Sequence, residues 1–205
     1  MNASHDYGYP DAALRWDDSY VWQPVRRAVA SLPAGARVCE IGCGNGVTAS
    51  RLAAMGYQVT AVDPSESGIA AARAACPGVR FEVAEADASL PERLGTFDAL
   101  VSIEVVEHCV SPKTFAACAA TLLRPGGLLV LTTPYHGYLK NLAIALTGRW
   151  DSHHDPLWEG GHVKFFSPAT ITRLLAGAGF AVQSIERVGR VQVLAKSMVV
   201  TAVAP

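Results

Sequence analysis

A doubly wound α/β fold, with a seven-stranded, mainly parallel sheet and an antiparallel final strand, is what this sequence predicts. Three observations carry that reading. Short β-branched runs alternate with helical patterns from residue 37 onward, glycines crowd the turn after the first run, and acidic residues follow the second and third. Strand–helix alternation of this kind builds a parallel sheet with helices on both faces. The chain has 205 residues, 50% hydrophobic and 17% charged, which suits one domain (1–205) with a substantial core.

The elements follow in order. RVCEI (37–41) reads as the first strand and TASRLAAM as its helix; QVTAV (58–62) precedes the helical SGIAAARAAC. VRFEVA (79–84) is a strand followed by a polar segment, and FDALVSI (97–103) is a strand leading to a helix near PKTFAACAATLL. The breaker Pro125-Gly126-Gly127 starts GLLVLTT (127–133). Ser167 is a plausible N-cap for PATITRLLAGAG, and FAVQSIERV and VLAKSMVVTAV read as an antiparallel pair at the sheet edge. Two segments stand outside the alternation. Residues 1–34 carry Tyr7, Tyr9, Trp16, Tyr20 and Trp22 and are expected to cap one end of the sheet. Residues 134–166 hold four of the six histidines and two of the four tryptophans, and read as an inserted cap on the acceptor side of a site.

Bulk properties exclude several classes. A net charge of −1 and a pI near 6.6 leave no bulk basic field for nucleic acid or anionic lipid. The five cysteines are odd in number and include no CxxC pair, as expected of reduced, mostly buried thiols in a cytoplasmic protein. The start lacks a signal-peptide pattern. No apolar run approaches the roughly 20 residues that span a bilayer.

The strongest local signal is VCEIGCGNG (38–46), with glycines at 42, 44 and 46 between a strand and a helix. The dinucleotide fingerprint needs a third glycine where Val47 stands, and nothing basic in the loop favours phosphate. Asp63 ends the second strand, where a carboxylate can accept both ribose hydroxyls; Asp87 follows the third, where an acid can accept from an adenine amino group. Together they describe an adenosine pocket without phosphates. A second cluster, EVVEH (104–108), follows the fourth strand. At i, i+3 and i+4 its two glutamates and histidine would share one side of a helical turn. Three readings stand open: a metal clamp, a base with neighbouring carboxylates, or a polar helix start.

EIGCGNG, AVDPSE, EADA, FDALVSIEVVEH, LLRPGGLLVLTTP and LLAGAGF, in that order between about residues 37 and 180, resemble a class I S-adenosylmethionine (SAM)-dependent methyltransferase, a Rossmann-like fold. The resemblance implies Glu40, Gly42, Cys43, Gly44 and Gly46 around the methionine part of the cofactor. It further implies Asp63 with Pro64 on ribose, Asp87 with Ala88 at adenine, and Ile103 beside the cofactor. Within the superfamily, EVVEH is similar to ubiquinone-pathway O-methyltransferases and to small-RNA 2′-O-methyltransferases. In the latter a Glu-x-x-Glu-His start and a later histidine bind a divalent cation. That resemblance implies a metal set of Glu104, Glu107, His108 and His162, for Mg²⁺, Mn²⁺ or Zn²⁺. The metal-free alternative has His108 as general base with Glu104 as the carboxylate that orients it.

A base or metal beside the acceptor favours O-methylation, because an amine is already nucleophilic. The expected acceptor is a small hydroxylated molecule: phenolic, quinone-like or a sugar. A metal-dependent RNA 2′-O-methyltransferase shares the motif but lacks the charge to hold phosphates; a non-catalytic SAM-binding protein is the other alternative. YLKNLAIAL reads as a helix covering the pocket or as a peripheral membrane contact. His153 and His154 read as solvated loop residues, and Tyr20, Trp22 and Arg26 as closing the pocket from the N-terminal side. Nothing in the sequence sets an oligomeric state.

Overall fold

The structure, a computed structural model, describes residues 19–205. Helix α1 (Ser19–Val29) leads into β1 (Arg37–Ile41), α2 (Val47–Ala54), β2 (Gln58–Asp63), α3 (Glu66–Ala75) and β3 (Arg80–Val83). The short α4 (Leu90–Leu94), β4 (Phe97–Ile103), α5 (Pro112–Leu122) and β5 (Leu123–Pro134) follow. The chain continues through α6 (Tyr138–Leu146), α7 (Trp150–His153), α8 (Pro168–Gly177), β6 (Ala181–Val188), a 3-10 turn at Gln192–Leu194, and β7 (Ser197–Val203).

The strands form one seven-stranded sheet in the order β3-β2-β1-β4-β5-β7-β6. β7 runs antiparallel to both its neighbours and every other pairing is parallel. This is the predicted sheet, with the final strand antiparallel. Strand order reverses between β1 and β4, which opens a crevice at their carboxyl ends, the place where open α/β sheets hold ligands.

Both faces of the sheet are buried, which is why its central strands read as apolar runs without alternation. Leu90, Phe115, Leu122, Ile171 and Leu175 from α4, α5 and α8 pack with Leu100, Leu129 and Leu131 on one face. Val21, Val25, Val29, Leu52 and Ile69 from α1, α2 and α3 pack with Val38, Ala61 and Val101 on the other. Local chemistry sets the helix starts. Pro112 opens α5, where its missing N–H costs nothing. Ser167 and Thr170 form a capping box at α8, with Thr170 N donating to Ser167 Oγ at 3.3 Å and Ser167 N to Thr170 Oγ1 at 2.8 Å.

Some elements differ from expectation. β5 begins at Leu123, ahead of the Pro-Gly-Gly breaker, because Leu123 pairs with Phe97 before the register shifts to Ala99↔Leu128. The polar segment after β3 contains α4, anchored by buried Leu90 and Leu94. Tyr7, Tyr9 and Trp16 of the expected N-terminal cap lie outside the described residues; α1, also within 1–34, packs on the sheet. Cys39, Cys43 and Cys118 are buried free thiols, and Cys76 and Cys109 are partly buried ones. Among the described residues no helix is long and apolar enough to cross a membrane.

Candidate active site

The glycine loop occupies the β1 side of the crevice. Val62 O on β2 receives the N–H of Gly42 at 2.8 Å and of Cys43 at 3.1 Å, and Gly46 N closes a turn onto Cys43 O at 2.8 Å. Gly42, Gly44 and Gly46 all have positive φ, where a side chain is strained. At Gly42 (φ 77°) the fold itself also excludes a side chain, because an added Cβ would overlap Val105 Cγ2. Gly42→Ala should therefore lower stability by about 3 kcal/mol in urea unfolding, combining αL strain with overpacking. Adding Val105→Ala should recover the overlap but leave about 1 kcal/mol of backbone strain. A Gly42→Ala chain as stable as its parent would mean that the loop does not pack on Val105.

Asp63, buried at the end of β2, ties this loop together. Its Oδ2 accepts from Gly44 N and its Oδ1 from Ser65 N, both at 2.8 Å. Ser65 in turn caps α3, accepting from Gly68 N at 3.0 Å. Pro64, next along, is half-buried. Glu40 is 2% exposed; Thr48 and the Ala49 N–H donate to it, while Oε2 has no partner among the described residues. Burial first, and Asp63 second, push its carboxyl up to about 8. A buried carboxyl oxygen with no hydrogen-bond partner is an unsatisfied group that a cationic or N–H-bearing ligand could meet. Asp87 is exposed and occupied in a local turn, its Oδ1 accepting from Ser89 N at 2.8 Å and Ser89 Oγ at 2.7 Å. Those bonds hold its carboxyl below the usual range. Ala88 is exposed beside it, and half-buried Ile103 ends β4 against the α1–α3 core.

EVVEH opens no helix; α5 begins only at Pro112. His108 N bonds Val105 O at 2.9 Å and Cys109 N bonds Val106 O at 3.3 Å, which makes a single turn. The reason is Glu104, whose φ of 53° is the one positive value at a non-glycine among the described residues. From that backbone, Glu104 is held by the strands beside the turn. Its Oε1 accepts from Thr132 Oγ1 at 2.8 Å and its Oε2 from Ser197 Oγ at 3.2 Å, bracing the ends of β4, β5 and β7. Burial raises its pKa. The expected four-residue metal set thus comes together without Glu104: single ligand atoms of Glu107, His108 and His162 lie within 4.8 Å of one another.

Each of these three is fixed in place by its neighbours. Glu107 is fully buried; Thr133 Oγ1 donates to its Oε2 at 2.9 Å, and Oε1 has no partner among the described residues. Burial, then Glu104, raises its pKa well above the usual carboxylate range. Val163 N and Lys164 N both donate to Glu107 O at 2.9 Å, tying the 158–165 loop to the turn. His108 Nδ1 lies 2.7 Å from Gly160 O and 3.2 Å from Gly161 O. Carbonyls only accept, so Nδ1 carries a proton, and in the neutral ring Nε2 carries the lone pair. The Gly160 carbonyl therefore does the orienting that the sequence reading gave to Glu104. His162 stacks edge-on to His108 at 4.9 Å, and burial, then His108, pushes its pKa down to about 4.

Beyond His162 lies a cavity of about 470 Å³ lined by His136, Trp150, His154, Trp158, His162 and Phe165, among others. His154 is not a solvated loop residue. It packs on Trp150 at 4.4 Å and Phe165 at 4.8 Å, and both ring nitrogens are buried without a partner among the described residues. His153 is exposed, its Nδ1 at 2.9 Å from Arg149 O. On the N-terminal side Tyr20 reaches Ser197 Oγ at 3.4 Å, beside Glu104, whereas Trp22 lies under Arg51 of α2 and Arg26 is exposed. Sequence reasoning missed Thr132, Thr133 and Ser197. The two threonines follow directly from GLLVL and were legible as polar residues ending an apolar strand; Ser197 gave no such signal.

Comparison with known proteins matches residues 14–185 to the Methyltransferase domain family. Ubiquinone biosynthesis O-methyltransferase from Caulobacter sp. (strain K31) is 39% identical over 154 residues, covering 70% of this chain and 58% of that protein. The protein of the same name from Xanthomonas axonopodis pv. citri (strain 306) is 31% identical over 188 residues, covering 84% of this chain and 78% of that one. The chain thus spans less than two thirds of the Caulobacter relative's length. Among solved structures, the [4+2]-cyclase SpnF superposes with a TM-score of 0.74 at 19% identity, covering 98% of this chain and 87% of that one.

Proposed function

The chain belongs to the Methyltransferase domain family, and from that premise we propose that it transfers the methyl group of SAM to a hydroxyl oxygen of a small, ring-bearing acceptor. The observation that carries the reading is His108. Its proton is committed to Gly160, and its lone-pair nitrogen belongs to a turn on the β4 side of the crevice, across from the glycine loop. Methyl transfer is an in-line displacement on a carbon that the sulfonium has already activated. The protein must align the two substrates, exclude water and remove the hydroxyl proton. Glu40, Asp63 and the loop 42–46 hold the methionine and ribose ends, with Pro64, Asp87, Ala88 and Ile103 around the rest of the nucleoside. Nε2 of His108 accepts the acceptor's proton. Glu104 braces the strand ends beneath this turn and does not itself touch the reacting atoms.

A divalent cation fits the same place. One buried carboxylate oxygen without a partner and two imidazoles, His162 being held neutral, are a reasonable donor set for Mg²⁺, Mn²⁺ or Zn²⁺. Glu107, His108 and His162 would hold the ion, which would supply Lewis-acid lowering of the hydroxyl pKa. The cavity beyond His162 suits an aromatic ring. Its walls are rings, and His136 and His162, both pushed down to about 4 chiefly by burial, are uncharged at neutral pH. A phenolic or quinone-like acceptor follows, in keeping with the names of the relatives.

The same fold also carries a [4+2]-cyclase, so transfer itself has to be measured. Incubating the protein with methyl-labelled SAM and a panel of phenols should give labelled ether. His108→Ala should reduce turnover at least 100-fold, the usual contribution of a positioned base, with S-adenosylhomocysteine (SAH) affinity unchanged. EDTA should have the same effect if a cation is used; activity that survives EDTA but not His108→Ala assigns the proton to His108 alone. Tight SAH binding with no transfer to any hydroxyl acceptor would sink the proposal and favour a non-catalytic binder.

A further inference from the structure

We propose that His154 is a specificity-determining residue of the aromatic cavity, pairing with a second hydroxyl that the acceptor carries away from the one it methylates. The inference rests on the methyl-transfer reading only in calling the ligand an acceptor; the pairing itself belongs to the cavity. The cap 134–166 uses its histidines in two ways. His162 packs on His108 at the reacting end. His136 and His154 line the cavity together, their rings 5.5 Å apart and tilted by 35°. His154 is the anomaly of the pair. Its backbone N–H closes the end of α7 onto Trp150 O at 2.9 Å, which fixes where the side chain starts. Trp150 and Phe165 then wall the ring in, and neither of its buried nitrogens has a hydrogen-bond partner among the described residues. Buried polar atoms in folded proteins are nearly always paired, so an orphan imidazole marks a place where something else supplies the partner. Solvent does not reach these nitrogens. Trp150 and Phe165 are themselves about half exposed and have solvent to turn into when a ligand enters between them.

The chemistry of the two rings names the partner. A neutral imidazole has one nitrogen that donates and one that accepts. Burial, then His153 and Lys140, lowers the pKa of His154, which keeps it in that neutral form. A carboxylate or ether oxygen would suit only its donor and an ammonium only its acceptor, whereas a hydroxyl suits either. His136 narrows the choice further. Its Nδ1 lies 3.3 Å from Asn141 Oδ1 and so carries the proton in the neutral ring, leaving Nε2 as an acceptor. A hydroxyl between the rings would accept from His154 and donate to His136 Nε2, which no group that only accepts or only donates can do. The rest of the ligand must suit walls made of Trp150, Trp158 and Phe165 in a cavity of about 470 Å³, within the range of small-molecule sites. Entry of an aromatic ring there lowers the local dielectric, which makes an unmatched imidazole costlier and a matched one stronger.

Paired ligands test this on the full chain saturated with SAH. Hydroquinone is compared with para-cresol, and biphenyl-4,4′-diol with its analogue bearing a methyl in place of one hydroxyl. In at least one pair, calorimetry should show the diol bound about 30-fold more tightly, the usual effect of leaving a buried polar group unpaired. His154→Phe, which keeps a ring between Trp150 and Phe165, should abolish that preference by weakening the diol alone. His154→Gln, whose amide has a donor and an acceptor, should keep part of it. A residue that only packs the wall would weaken both members of a pair equally, and that result overturns the proposal. So does a parent chain that binds the members of each pair alike or binds none of them, or a His154→Phe chain that keeps the preference. Methyl-labelled SAM with the same ligands reads transfer separately. A His154-dependent preference without transfer would sink the reaction and leave the pairing standing; transfer without preference would do the reverse.

Discussion

Asp63→Ala should abolish measurable binding of SAM and SAH by calorimetry and reduce the unfolding free energy by about 3 kcal/mol. The stability loss follows from two charge-assisted bonds, each typically about 1.5–3 kcal/mol, whose donors Gly44 N and Ser65 N would be left unpartnered at a buried site. It should spread to the start of α3, because Ser65 caps that helix. The binding loss has two sources: the ribose acceptor is gone, and the loop that passes the methionine end is no longer held to β2. Asp63→Asn separates them. Its amide keeps one acceptor for the loop but turns a donor toward one of the two N–H groups, so stability should fall less while affinity still falls. Unchanged SAH affinity in a destabilised Asp63→Ala chain would leave Asp63 as a brace and remove it from the ribose site.

The second large effect is a pH dependence from Glu40. Burial, with Asp63 beside it, pushes its carboxyl up to about 8 in the fold, well above the ordinary glutamate value of about 4.3 that the unfolded chain has. The folded state therefore binds more protons than the unfolded state between those values, and stability falls as pH rises through that window. At 1.36 kcal/mol per pH unit the loss is on the order of 4 kcal/mol between about pH 5 and pH 8. Glu40→Gln should flatten this part of the profile, since an amide has no proton to lose. Saturating SAH should flatten it too, because the ligand's ammonium stabilises the ionised carboxylate, and binding at pH 7 should release a proton detectable across buffers of different ionisation enthalpy. A parent protein whose ligand-free stability is level from pH 5 to 8 would overturn this account of Glu40.

The parts of the fold that were legible in the sequence are those written locally. Apolar runs of strand length, the glycine triplet and the Ser167 cap each act within a few residues, so the succession of elements and the sheet type followed from them. What escaped depended on one dihedral angle or on distant partners. Glu104 looked like the first member of a helical i, i+3, i+4 set, but its left-handed backbone carries no marker in the letters EVVEH. The kink therefore directs Glu104 toward Thr132 and Ser197, 28 and 93 residues away, and leaves Glu107 and His108 to meet His162. His154 failed for the opposite reason: a polar-looking loop folds back so that its imidazole is walled in by Trp150 and Phe165.

The place of β7 has a consequence for the order in which the molecule can be assembled. It is the last strand to be synthesised, yet it lies inside the sheet, pairing with β5 on one side and β6 on the other. Until it emerges, β5 presents an open edge and β6 has no neighbour, the condition in which nascent chains pair wrongly. Ser197, the first residue of that strand, also supplies one of the two hydroxyls that hold Glu104. The half of the crevice that carries Glu104 therefore lacks one of its two hydroxyl partners until β7 is in place, while the glycine-loop half is built from residues that precede it in the chain. A chain released early would carry a cofactor cradle with nothing across from it.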